Sequence, residues 1–137
     1  MILKYKEKLN IKDVPRFTKD LLKELSPLKV HKDIVFDIRL AIEEALINAI
    51  KYGNKENNDK SIEVKLRTDD EKVEIEIKDE GPGYDYHHIP IPIVDENLER
   101  LSGRGVYLIK KIMDKVAFLD KGSRIKMVKY LTKGGKK

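Results

Sequence analysis

Residues 61–79, SIEVKLRTDDEKVEIEIKD, decide the architecture. Ile62, Val64 and Leu66 alternate with charged residues in the first half, and Val73, Ile75 and Ile77 do so in the second. A period of two turns one face of a strand to a core and the other to water, and Asp69-Asp70 between the runs is turn chemistry. The stretch therefore predicts an antiparallel hairpin.

Upstream, Leu3, Tyr5, Glu7 and Leu9 alternate with lysines, as in an edge strand. Asp13 reads as an N-cap with Pro15 in the first helical turn, and Phe17, Leu21, Leu22 and Leu25 form a helical stripe as far as Ser26-Pro27. A long helix follows from about Lys32 to Tyr52, stopped by Gly53-Asn54. Downstream, residues 81–104 hold three of the five prolines and little periodicity. They read as a long loop with a short helical piece at 95–101, a length that suits a lid. GVYLIKKIMD then gives a short amphipathic helix, and KVAFL and RIKMVKYL two closing strands joined at Gly122. Sequential strand pairs with helices set apart from them predict an α+β two-layer sandwich, with helices on one face of a mainly antiparallel mixed sheet. A doubly wound parallel fold needs a strand-helix alternation that is missing.

At 137 residues, with no repeat and no linker, the chain fits one domain, residues 1–137, with 131–137 a basic tail. It has no cysteine, which excludes disulfides and thiolate metal sites. No apolar run nears the roughly 18 residues that cross a bilayer, and MILKYKEKLN is not a signal peptide. A cytoplasmic protein with no membrane contact is expected. The net charge of +5 is mild, and its cations lack the interleaved aromatics of a nucleic-acid groove, so no direct nucleic-acid binding is expected.

Within the long helix, AIEEALINAIKYGN (41–54) places a carboxylate, Glu44, one turn before a carboxamide, Asn48. At about 3.6 residues per turn the two side chains point the same way. Around the helix, Ile34, Ile38, Ala41, Ile42, Ala45 and Ala49 make one apolar sector and Phe36, Leu40, Ile47 and Ile50 another. Glu44 and Asn48 fall in the narrow seam between them with Asp37 and Lys51, a strip too thin for an ordinary solvated face. DEGPG (79–83) closes a strand with Asp79 at the rim of the core and two glycines that let backbone approach a planar ligand. SGRG (102–105) leads into a helix, where unpaired N–H groups and the positive dipole end favour phosphate. Neither a P-loop nor a GxGxxG follows the first strand, and His31, His87 and His88 lack metal-ligand spacing.

Taken in order, E-x-x-x-N on a helix, D-x-G-x-G after a strand and G-x-G opening a helix resemble the GHKL ATPase superfamily of gyrase, heat-shock chaperones and sensor histidine kinases. The chain is most similar to its small anti-sigma-factor serine/threonine kinases. EEALINAIKYGN resembles their N box, IEIKDEGPGYD their adenine box, SGRGVYLIKKIMDKVAF their second glycine box, and KGSRIKM their last strand. The resemblance implies a Bergerat-type ATP-binding fold using ATP and Mg²⁺. It implies Asn48 as Mg²⁺ ligand and Glu44 as the base that takes a proton from the attacking hydroxyl. By the same resemblance Asp79 would accept from the exocyclic amine of adenine, with Gly81 and Gly83 allowing close approach and Ser123 nearby where the family usually has threonine. The resemblance would have Gly103, Arg104 and Gly105 line the phosphates, with Arg104 or Arg100, by charge and place, the candidates to contact the γ-phosphate. Tyr52-Gly53 departs from the family's His-Gly, and the lid at 84–102 is short.

The implied partners are a STAS-type anti-sigma factor antagonist, as phosphoacceptor, and a sigma factor; the likeness also admits a homodimer. The competing reading is a non-catalytic module in which ATP only orders the lid. Glu44 speaks against it, because binding alone needs no base there.

Overall fold

A computed structural model describes residues 1–55, 57, 59–81 and 103–131. Among these residues five strands, β1 (Ile2–Glu7), β2 (Ile62–Thr68), β3 (Lys72–Lys78), β4 (Lys115–Leu119) and β5 (Arg124–Tyr130), form one sheet in the order β1-β2-β3-β5-β4. All four pairings are antiparallel, so the sheet has no adjacent parallel pair among the described residues. β4 does run parallel to β3, with β5 between them, and the connection carries a helix.

The hairpin forms as its pattern requires. Ile62, Val64 and Leu66 on β2 and Val73, Ile75 and Ile77 on β3 are buried, with Val64 opposite Ile77 and Leu66 opposite Ile75. Asp69 closes the turn, its carboxylate accepting from Glu71 N at 2.7 Å and Lys72 N at 2.9 Å. Opposite charges order the open face. Glu74 lies between Lys72 at 3.1 Å and Lys126 at 3.4 Å, and Arg124 holds Glu76 at 3.2 Å.

Among the described residues three α-helices cover the other face: α1 (Val14–Leu22), α2 (Lys32–Asn48) and α3 (Gly103–Ile112). Asp13 is not a side-chain N-cap to α1. Its carboxylate accepts from Asn10 N at 3.0 Å and closes a preceding 3₁₀ turn, while Pro15 does lie in the first turn of α1. The stripe continues past α1 through a 3₁₀ segment, Lys23–Leu28, that contains Pro27. Phe17, Leu21 and Leu25 are buried, and the Phe17 ring meets Tyr5 edge-on at 5.7 Å.

α2 starts at His31, whose Nδ1 accepts from Asp33 N at 3.1 Å. Ile38, Ala41, Ile42 and Ala45 are buried as expected, and Leu46 joins them at 0% exposure. Burying each Ile or Leu side chain contributes about 1.5–3 kcal/mol. The second apolar sector is not uniformly buried: Ile50 is, whereas Phe36 is 54% exposed and stacks under Arg39. α3 begins two residues earlier than GVYLIKKIMD suggests and packs Ile109 into the core. Lys129 fixes its far end, donating to Ile112 O at 2.6 Å while pairing with Asp37 of α2 at 3.2 Å. Among the described residues no helix is long and apolar enough to cross a membrane.

Candidate nucleotide-binding site

The last turn of α2 and the first of α3 meet side by side. A Cβ on Gly105 would stand 2.8 Å from Glu44 Oε1 and 3.4 Å from Asn48 Nδ2, so α3 approaches this closely because Gly105 has no side chain. Glu44 is half-buried and Asn48 is buried. The sequence pair thus lies at the N-terminus of a helix, where backbone N–H groups are available to anionic oxygen.

Beyond Asn48 the chain widens into a single π turn, Ala49–Gly53, closed by Asn54 N donating to Ala49 O at 2.8 Å. π turns interrupt the helical register and recur at functional sites. Here the turn carries Gly53 to the end of β3. Gly53 does not stop the helix through a left-handed backbone; among the described glycines only Gly122 has positive φ. Its role is space, since a Cβ would lie 2.0 Å from Asp79 Oδ2. Gly81 is equally constrained, its Cβ position being 2.0 Å from Gly53 O.

Asp79 is held tightly for a buried carboxylate. Its N–H donates to Ser123 O at 2.9 Å, and Oδ1 accepts from Gly81 N at 2.8 Å. Burial raises its pKa, opposed by the Gly81 N–H and by the charges of Lys60 and Lys78. Asn54, also buried, accepts from Glu80 N at 2.7 Å and donates to Ser61 O at 3.1 Å. Across the cleft Ser123 is buried, and its hydroxyl donates to Asp120 O at 2.9 Å. That turn uses positive φ at Asp120 and Gly122, 51° and 94°, with the Asp120 carboxylate held by Lys78 at 3.2 Å and Arg124 at 3.0 Å.

Between these groups lies a small cleft lined by Ala45, Asn48, Ala49, Ile77, Asp79, Phe118, Gly122, Ser123 and Ile125. Ala45 and Ala49 leave room on the helix side, and Ile77 and Ile125 supply the sheet side. Apolar walls with a carboxylate, a carboxamide and a hydroxyl suit a flat heterocycle whose edge needs polar partners.

Of the residues singled out in the sequence, Glu44, Asn48 and Gly105 come together, and Asn48, Asp79 and Ser123 line one cleft with Gly81 at its rim. Gly103 and Arg104 open α3, although the side chain of Arg104 is outside the description. Gly83, Arg100 and the proposed lid lie outside the described residues. Pattern reading missed the structural parts played by Gly53, Asn54, Ala45, Ala49 and Phe118. The alanines did carry a signal, being small residues at i and i+4 flanking Asn48. No group of three His, Asp or Glu suited to a metal exists among the described residues.

The chain combines a two-layer α+β fold with a cleft between its long helix and the end of a central strand. The chain belongs to the histidine kinase-like ATPase domain family, whose profile matches residues 9–129 and so spans the whole site. It is also similar to the serine-protein kinase RsbW of Staphylococcus aureus. Identity is 35% over 109 residues for strains JH9 and Newman alike, covering 74% of this chain and 69% of each relative.

Proposed function

We propose that the protein is an ATP-dependent serine/threonine-protein kinase and anti-sigma factor. In this reading it phosphorylates a STAS-type antagonist in the cytoplasm and sequesters a sigma factor until the unphosphorylated antagonist displaces it. The observation that carries the catalytic reading is the meeting of Glu44, Asn48 and the Gly105 turn of α3 at a cleft that ends on buried Asp79. The similarity to a serine-protein kinase supports the same direction.

In this account Asp79 accepts from the exocyclic amine of adenine, and Ala45, Ala49, Ile77 and Ile125 enclose the ring. Ser123 borders the ring edge, and Gly81 with Gly83 keeps the approach clear. Phosphates lie toward Gly103, Arg104 and Gly105, where the first turn of α3 offers N–H groups and its dipole. Arg104 and Arg100 are the candidates to contact the γ-phosphate. Asn48 fits a Mg²⁺ ligand, since it is buried and its amide oxygen is a hard donor. The ion, when bound with the nucleotide, offsets phosphate charge. Glu44 takes the proton of the attacking serine hydroxyl as the new oxygen–phosphorus bond forms and the bond to the ADP oxygen breaks. Positioning and charge stabilisation carry the rest.

The test is transfer of labelled γ-phosphate to a purified STAS-type antagonist. Wild type labels a serine or threonine, and Glu44→Ala loses about 100-fold or more of the rate with ATP affinity kept within about twofold. Normal turnover in Glu44→Ala would remove it as the base. ATP binding without any transfer by wild type would select the ATP-gated binding module.

A further inference from the structure

Asn54 has no role in the account above, yet the Asp79 end of the cleft is built around it. At 3% exposure its side chain uses both ends: Oδ1 accepts from Glu80 N at 2.7 Å, and Nδ2 donates to Ser61 O at 3.1 Å. Ser61 N in turn donates to a Glu80 carboxylate oxygen. The three contacts close a ring that joins the exit of the π turn, the start of β2 and the residue after Asp79. On the other side, Asp79 N donates to Ser123 O at 2.9 Å. The Asp79 backbone is therefore pinned both before and after its Cα. Its carboxylate is left between the Gly81 N–H, at 2.8 Å, and the bare Cα of Gly53.

We propose that Asn54 is a positioning residue for purine selection. By holding Glu80 N–H it fixes the direction in which the Asp79 carboxylate faces the purine 6-position. The inference rests on the adenine reading of the cleft. Its physical basis is that a hydrogen bond discriminates an amine from a carbonyl only while its acceptor keeps one orientation. A carboxylate free to swing by about an ångström meets either group through water instead. Asn54 touches no ligand atom in this account, and it reaches 26 residues along the chain to do its work.

The experiment is calorimetric binding of ATP and of inosine triphosphate, which carries an oxygen where ATP has its amine, with Mg²⁺ present. Wild type, Asn54→Ala and Asn54→Asp are compared, with thermal unfolding of each. Wild type prefers ATP by about tenfold or more, the span of one charge-assisted hydrogen bond. Asn54→Ala loses most of that ratio through weaker ATP binding, with inosine triphosphate affinity held within about twofold. Asn54→Asp keeps the acceptor for Glu80 N and keeps the ratio. A merely structural role would instead weaken both nucleotides together in Asn54→Ala and leave the ratio intact, which overturns the proposal. Should Asn54→Ala not fold, Asn54→Ser, one bond too short to keep the Oδ1 contact, carries the same expectation. A wild type without ATP preference would refute the adenine cleft itself, and a discriminating wild type with an equally discriminating Asn54→Ala would refute only the part given to Asn54.

Discussion

Replacing Asp79 by asparagine separates what this carboxylate does for binding from what it costs the fold. The substitution keeps the shape and the acceptor for Gly81 N, and it exchanges the other oxygen for an NH₂ donor. Burial raises the Asp79 pKa above the ordinary 3.8, so the folded protein holds that proton more tightly than the unfolded chain. The ionised side chain therefore subtracts from stability. The penalty is absent below the unfolded value, grows as pH rises, and is complete above the raised folded value. Asp79→Asn removes it, so the variant melts higher than wild type at pH 7, and the gain fades as pH falls toward 3.8. Binding moves the other way. A hydrogen bond to a charged group contributes about 1.5–3 kcal/mol, so its loss weakens ATP by roughly 10- to 150-fold. The new amide matches a 6-oxo purine, so inosine triphosphate gains on ATP. Differential scanning fluorimetry from pH 4 to 8 and nucleotide titration at pH 7 read the two effects. Unchanged ATP affinity would refute the adenine contact, and a lower melting temperature at pH 7 would refute the cost of the buried charge.

Two glycine substitutions probe the two ends of the cleft separately. Gly105→Ala places a Cβ 2.8 Å from Glu44 Oε1, the far end of its side chain, so the Glu44 carboxylate is displaced while the fold stays intact. Phosphoryl transfer then drops by about 10- to 100-fold with little change in melting temperature, and an unchanged rate would place Glu44 outside the chemistry. Gly53→Ala meets Asp79 at 2.0 Å, where neither partner has room. ATP affinity and melting temperature both fall, and a variant that binds ATP normally would contradict the close packing of Gly53 on Asp79.

Elements whose evidence is local were legible in the sequence. The hairpin was announced by its period and by Asp69-Asp70, and the Glu44/Asn48 pair by a seam too narrow to be solvated. What escaped depends on segments distant in the chain. Gly53 reads as a helix stop because its neighbours are helical, yet its requirement comes from Asp79, which the π turn brings against it. Asn54 looks like punctuation for the same reason, although its partners are Glu80 and Ser61. Helical projection also gave the two apolar flanks of α2 equal weight. The sheet, with α1 and α3, covers one and leaves Phe36 on the other exposed, a choice that only tertiary packing makes. Motif order singled out Glu44, Asn48 and Asp79 on separate elements that the fold brings together, while the alanine walls beside Asn48 show in the sequence only as small residues at i and i+4.

The most direct test of the central claim is calorimetric titration of the purified protein with ATP and with GTP, in the presence and absence of Mg²⁺. The account predicts micromolar binding that favours ATP and strengthens with Mg²⁺. No binding, or equal affinity for the two nucleotides, would contradict an adenine cleft ending on Asp79.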